Sequence, residues 1–493
     1  MEKLRQRFKN HKTPWGILAA SLLFMAVCVV GVRYERPWVA YSVFLFIGIY
    51  LVCMHTEACL YLTALITPLS VNISEKIPDV AFNMSIPSEP LLICLMLLFL
   101  WKIIWTKDYP KELLRHPISI ALYVYLAWLL IASCASTMPL VSFKHWLSKL
   151  WFIIPCYFYL AKEIRQNERN AARFLLCYAI GLGIVVCITT VKHIRLGAVE
   201  KVAYWVMSPY YNDHTAYGAV LVFFSCLLPG FIAYHKESGH IRRLAALLWL
   251  IGMIGLYLSF SRAAWLSLGI AIAVLALALF RIRFRTVLLT GTALAVFAVF
   301  FADDILYRLN KNDTESSQNL VEHLQSMSNI SSDASNVERI NRWAAALSMF
   351  KEKPFLGWGP GTYQFQYAPF QHPRYKTIIT TNAGDGGNAH SEYLSMLSET
   401  GFIGPLLLLW LIGCCLSAGL KVFHRKDAPL SRRIACIVCV LALCSYFAHG
   451  FFNNFLDTEK LAVPVFASMA VIAALDSKER DRITQVQGTS ASI

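Results

Sequence analysis

The sequence predicts an all-α polytopic integral membrane protein of 12–14 transmembrane helices with one large outer loop containing short helices. Three observations carry that prediction. The 493-residue chain is 57% hydrophobic and only 15% charged, far from the balance of a soluble domain. Apolar runs long enough to cross a hydrocarbon core of about 30 Å recur along almost the whole length. A single polar stretch, 303–401, interrupts them and is far longer than an ordinary connection.

The apolar runs lie near 15–32, 37–54, 57–71, 88–105, 118–135, 147–161, 172–190, 215–234, 244–260, 263–280, 286–302, 402–420, 433–449 and 459–475. Backbone polar groups in lipid must bond within their own segment, so each run reads as a helix. The 57–71 run is short and contains Pro68, and it reads either as a span or as a re-entrant piece. That choice leaves the count between 12 and 14. The opening MEKLRQRFKNHK and the apolar run after it resemble a secretory signal, but no small-residue cleavage site precedes Arg33. An uncleaved first span is expected.

Lys and Arg orient the chain. With both termini on the cytoplasmic side, the inner segments hold 27 of the 45 Lys and Arg. RIRFR at 281–285 and HRKDAPLSRR at 424–433 anchor the flanking spans inside, so the 303–401 loop is expected outside. The organisation is then N-terminal helices over 1–302, the loop over 303–401, C-terminal helices over 402–475 and an inner tail over 476–493. The net charge of +15 is mainly this topology signal and does not point to nucleic acid. All 14 cysteines lie in or at the ends of apolar runs, which leaves no disulfide framework and no zinc site in the loop. Cys436 and Cys439 form a CxxC inside an apolar run, where packing is its role.

Within the loop, ERINRWAAALSMFKEKP (338–354) places Ile340, Trp343, Leu347 and Phe350 at helical spacing before Pro354. An amphipathic helix on the membrane surface or against the bundle is expected there. FLGWGPGTY (355–363) is turn-rich but lacks the Lys-Ser/Thr ending of a phosphate-binding P-loop. NAHSEYLSMLSETGFIG (388–404) reads as a helix capped by Asn388 and ended by Gly401, with His390, Leu394 and Leu397 on one face.

Ionisable residues beside membrane helices are costly, so their placement is informative. Arg262 in SFSRAAWL sits at an outer junction, where a snorkelling arginine is the plain explanation. Arg339 opens the loop helix, Lys149 stands at the outer start of a run, and Asp213 and His214 precede another. Solvation, anchoring and helix capping explain each of these singly. Together they gather cations and a histidine at one face of the membrane. Arginine's charged fork suits phosphate, and histidine can accept a proton near neutral pH. A lipid-linked phosphate bearing a transferable group fits both. No acidic cluster with metal-ligand spacing accompanies them, so no metal and no cofactor is expected.

These stretches resemble the bacterial O-antigen ligase family, within the wider O-antigen ligase/polymerase superfamily. SFSRAAWL resembles its Arg-x-x-x-Leu element, from Arg262 to Leu266. ERINRWAAALSMFKEKPFLGWGPGTY resembles its arginine–tryptophan helix and Gly-x-Gly turn. HSEYLSMLSETGFIG fits the ligase-leaning pattern through His390, Ser391, Gly401 and Gly404. The resemblance implies an inverting, metal-independent glycosyltransferase of the bacterial inner membrane with a periplasmic active site. Its donor would be an undecaprenyl-diphosphate-linked glycan and its acceptor lipid A–core. His390 would be the general base, and Arg262 and Arg339 would stabilise the diphosphate. Lys149, Asp213, His214 and Glu392 join them as candidate substrate-binding residues, Glu392 as an acid expected to orient His390. O-antigen polymerase and protein O-oligosaccharyltransferase share the donor and stay open as alternatives. A lipid-linked glycan flippase or transporter would favour mid-membrane charges and internal repeats, and neither is evident.

Overall fold

The structure is a computed structural model, and it describes residues 56–72, 84–234, 239–282, 334–372 and 387–490. The expected runs at 15–32, 37–54 and 286–302, and nearly all of the polar segment 311–336, lie outside the described residues. The chain forms two compact units, Met1–Leu60 and Tyr61–Ile493. The contacts below belong to the second.

Helix α1 (Thr56–Ile66) ends in a 3-10 turn at Pro68, and β1 (Val71–Asn72) then pairs antiparallel with β2 (Ser85–Ile86), Val71 opposite Ile86. The helices α2 (Ser88–Thr106), α3 (Lys111–Leu114), α4 (Pro117–Cys134) and α5 (Pro139–Ile153) follow. A π-helical segment over Ile154–Tyr159 joins α5 to α6 (Leu160–Gln166), because Pro155 has no N–H to continue the α-helical ladder. Next come α7 (Arg169–Arg195), α8 (Glu200–Ala203), α9 (His214–Tyr234), α10 (Gly239–Leu258) and α11 (Arg262–Leu279). The polar stretch contributes α12 (Ala334–Glu352), α13 (Tyr363–Gln366) and α14 (Glu392–Thr400). The chain closes with α15 (Ile403–His424), α16 (Leu430–His449) and α17 (Glu459–Ser490).

Among the described residues, nine helices are long and apolar enough to cross a membrane: α2, α4, α7, α9, α10, α11, α15, α16 and α17. They match expected runs, and the chain is a multi-pass, all-α membrane protein. Helix α17 is the most enclosed of the nine, its most apolar 18-residue stretch being wholly buried. It continues well past residue 475 because its acidic residues find cations. Asp476 takes His116 at 3.1 Å and Arg480 at 2.6 Å, and Glu479 takes Arg432. Arg432 also forks onto Glu168, with Nη2 to Oε1 at 2.7 Å, and Arg165 reaches Asp481 at 2.6 Å. This ion-paired end carries basic residues expected on the inner side. At the other end α9 begins at His214, α11 begins at Arg262 and α16 finishes at His449, the three helices packing on one another.

Removing Arg432 leaves Glu479, whose side chain is 0% exposed, with Arg482 as its remaining cation at 3.0 Å. Arg432→Met should destabilise the detergent-purified protein by about 1–3 kcal/mol. Adding Glu479→Gln should recover part of the loss in a thermal unfolding experiment, and an unchanged unfolding temperature in the single variant would contradict the assignment.

Candidate functional site

Helix α12 buries a face other than the expected one. Asn341, Arg342, Ala345, Ala346 and Met349 are buried, whereas Leu347 of the apolar stripe is 43% exposed. The two alanines let the helix approach closely, and a small core forms with Tyr363, Tyr367 and Ala389, flanked by Trp358 and Leu394. Arg342 can enter that core because its charge and donors are occupied. Its Nε donates to Glu338 at 2.8 Å, Nη1 donates to the Asn388 carbonyl at 3.1 Å, and the guanidinium lies 4.9 Å over the Tyr367 ring. The Tyr363 hydroxyl donates to the Arg342 carbonyl at 2.9 Å, and Tyr363 stacks on Tyr367. Gly387 permits this arrangement, since a Cβ there would come within 1.8 Å of Arg342 Nη1. Arg342 was not among the residues picked from the sequence, where nothing separates it from Arg339.

The glycine-rich turn after α12 spends its backbone donors inside the protein. Trp358 N–H donates to the Ser398 carbonyl at 3.0 Å and Gly359 N–H to the Glu399 carbonyl at 2.8 Å. Tyr363 N–H donates to the Glu399 carboxylate at 3.0 Å, and Thr137 N–H donates to the Trp358 carbonyl at 3.1 Å. The turn therefore docks α12 on the end of α14 and on the α4–α5 connection. Gly401 closes α14 as expected, at φ 68°, where an added Cβ would meet the Phe355 carbonyl oxygen at 2.0 Å.

His390 lies outside the helix that follows it. Ser391, not Asn388, is the N-cap, its side chain accepting from Leu394 N–H. His390 adopts the left-handed conformation at φ 48°, so it does not continue the face of Leu394 and Leu397. A non-glycine residue in that region costs about 1–3 kcal/mol and persists only when its surroundings impose it. They do so here. His390 N–H donates to Asn388 Oδ1 at 3.0 Å, Trp343 Nε1 donates to the His390 carbonyl at 3.2 Å, and Asn388 Nδ2 reaches the Asn454 carbonyl at 3.4 Å. Glu392 N–H donates to the carbonyls of Gly450 at 2.8 Å and Asn453 at 3.2 Å. Burial, with the Arg342 and Arg339 charges, holds the His390 imidazole down to about 4. It is neutral at physiological pH and has a lone pair to offer.

The field of Arg339 acts on both His390 and His214, and Asp213 acts on the same two rings. Asp213 also caps α9, its Oδ1 accepting from the N–H groups of Thr215 and Ala216 at 2.7 Å each. His214 rests against Tyr204, with ring centroids 4.7 Å apart. Arg262 opens α11 at this end and is exposed. The preceding Ser261 packs on Gly218 of α9. The structure thus brings His390, Arg339, Asp213 and His214 together and sets Arg262 at the same end of the bundle.

Lys149 and Glu392 sit in a deeper, buried layer. Lys149 donates to Asp457 Oδ1 at 2.5 Å and to the Leu456 carbonyl at 3.0 Å. Glu392 Oε1 accepts from the Tyr446 hydroxyl and from Phe455 N–H at 2.8 Å and Leu456 N–H at 2.7 Å. The Glu392 carboxylate is thereby turned to the 446–456 segment. Both line a small cavity of about 20 Å³ with Tyr125, His145, Glu399 and Asp457, room for about one water. Burial would raise Asp457, but Lys149 and His145 bring it down to about 2, so it carries the charge. Burial, reinforced by that neighbouring charge, lifts Glu392 to about 7 and Glu399 to about 8.

A Glu392 whose main work is to accept three donors predicts a divergent pair of variants. Glu392→Gln keeps an accepting oxygen and should leave membrane abundance near wild type. Glu392→Leu strands the three donors, at about 1–3 kcal/mol each, and should be strongly depleted. Equal abundance of the two, measured by immunoblot of membranes, would contradict the clamp.

Residues 245–410 match the family model described as O-antigen ligase. Compared with curated protein sequences, the chain gives no significant match. The matched stretch runs from within α10 through α11 and the polar stretch into α15, and it contains Arg262, Arg339, Arg342 and His390. Over that stretch, with a multi-pass helical fold around it, the chain is similar to the O-antigen ligase family, and the similarity supports a function of the O-antigen ligase/polymerase type.

Proposed function

We propose that this end of the bundle moves a glycan from undecaprenyl diphosphate onto a sugar hydroxyl of lipid A–core, as an O-antigen ligase working at the periplasmic face of a bacterial inner membrane. The observation that supports the reading best is the meeting of one half-buried, neutral imidazole with two arginine charges at the end of an apolar bundle. A glycosyl transfer of this kind needs both. The acceptor O–H gives its proton to a His390 ring nitrogen as the acceptor oxygen bonds to the anomeric carbon. The bond from that carbon to the diphosphate breaks on the opposite face, its electron pair leaving with the diphosphate, and the configuration inverts.

Charge develops on the diphosphate as that bond breaks, so fixed cations favour the transition state over the ground state. In this reading Arg339 and Arg262 hold the diphosphate, while Arg342, already tied to Glu338, sets the α12–His390 geometry. Asp213 and His214 line the approach for substrate. Lys149 and Glu392 support the turn on which His390 rests, which is a different role from direct substrate contact. The polyprenyl tail lies along the apolar outer faces of the membrane helices.

A lipopolysaccharide gel of a deletion strain tests the reading. Loss of the long-chain ladder, with undecaprenyl-linked polymer still accumulating, is expected. Plasmid-borne His390→Ala or Arg262→Ala should fail to restore the ladder at unchanged membrane abundance. Near-normal ladders from both variants would overturn the site. Core bearing a single repeat unit in the deletion strain would point instead to an O-antigen polymerase, and intact lipopolysaccharide with lost protein glycosylation to a protein O-oligosaccharyltransferase.

A further inference from the structure

Besides His390 and His214, the described residues contain another imidazole at this end of the bundle, one that the transfer chemistry does not use. His449 is the last residue of α16 and is buried. Its Nε2 lies 3.1 Å from Asn453 Nδ2. Asn453 Oδ1 in turn lies 3.3 Å from the Thr215 hydroxyl, which shares its one proton with Asp213 Oδ1 at 2.6 Å. A polar chain therefore runs from the cap of α9 to the end of α16, with the Asn453 side chain in the middle. Asn453, Thr215 and His449 are all buried, so bulk water is not at hand to replace a lost partner.

The turn carrying Asn453 is the one that grips His390 from both sides. Before His390, Asn388 Nδ2 donates to the Asn454 carbonyl. After it, Glu392 N–H donates to the carbonyls of Asn453 and Gly450. Trp343, which donates to the His390 carbonyl, faces Phe452 of the same turn, with ring centroids 6.5 Å apart. His390 has no glycine's freedom at φ 48°, so its left-handed backbone depends on these neighbours staying in place.

We propose that His449 and Asn453 are positioning residues for His390, fixing the 450–454 turn and through it the orientation of the His390 imidazole toward the acceptor hydroxyl. The proposal rests on the reading of His390 as the base. A ring turned away from its proton by a fraction of an ångström loses rate without losing substrate affinity. The two residues are thus linked to turnover and not to donor binding.

The test uses the full-length protein in lipid nanodiscs, with an undecaprenyl-diphosphate-linked glycan as donor and lipid A–core as acceptor. His449→Leu and Asn453→Ala should each lower kcat by about tenfold or more while the donor KM moves by less than about twofold. His449→Gln, which returns a polar atom near the place of Nε2, should recover most of the loss. A second readout needs no turnover: carbethoxylation of His390 by diethyl pyrocarbonate, followed by peptide mass spectrometry. Local release of the turn should raise the His390 rate by roughly threefold or more in His449→Leu and Asn453→Ala, leaving the exposed His372 unchanged. Should His449→Leu fail to assemble, Asn453→Ala and His449→Gln carry both readouts. Wild-type kcat and unchanged His390 reactivity in the variants would overturn the proposal, as would a His449→Gln no better than His449→Leu. A wild-type protein that transfers nothing from this donor would overturn the functional reading instead, while the modification rates would still decide the positioning.

Discussion

The backbone amide of Glu392 donates to the carbonyls of Gly450 and Asn453, while its carboxylate accepts from Tyr446 and from the amides of Phe455 and Leu456. Main chain and side chain of one residue thus fasten α14 to the connection between α16 and α17. Glu392, Tyr446, Phe455 and Leu456 are buried, so each of those donors would otherwise be stranded, and the clamp is strongly determined. His390 stands two residues before it and inherits its position. The unusual backbone at His390 is imposed by Trp343 on one side and the 450–454 turn on the other. The αL residue, the docked α12 and the Lys149–Asp457 pair form one connected arrangement.

Within that arrangement two arginines one helical turn apart divide their tasks. Arg342 turns inward, where Glu338, Tyr367 and the Asn388 carbonyl satisfy it, and it ties α12 to the His390 loop. The Arg339 charge reaches His390 and His214. A positive field around the half-buried imidazole keeps the ring neutral, as the proposed base role requires. The same field would favour an anionic leaving group. Under the proposed function, a bound diphosphate would offset the arginines and make the imidazole a stronger base. The affinity of His390 for a proton would therefore rise when donor arrives.

Much of the membrane architecture was legible because hydropathy is a property of whole runs. The spans read at 88–105, 172–190, 402–420 and 433–449 appear as helices with nearly those bounds. Local choices were less legible. Ser391 caps α14 in preference to Asn388 because the Asn388 side chain is occupied by His390 N–H and Asn454. The buried face of α12 follows two alanines and a paired arginine, which an apolar count ranks below Ile340 and Leu347. His449 and Asn453 matter through partners far away in sequence, and a short FFNNFLD segment carries no motif to announce them. Helix α17 outran its apolar run because Asp476 and Glu479 meet cations supplied by other segments. Pairing across the fold, which a single sequence does not display, accounts for each difference.

The most direct measurement is a cryo-electron microscopy structure of the full-length protein in nanodiscs with an undecaprenyl-diphosphate-linked glycan bound. The account predicts diphosphate oxygens within hydrogen-bond distance of the Arg339 and Arg262 guanidinium groups. It also predicts the anomeric carbon facing the His390 imidazole, with space between them for an acceptor hydroxyl. A diphosphate bound at the ion-paired end near Arg432, or one at the His390 end with the anomeric carbon turned away from the ring, would contradict it.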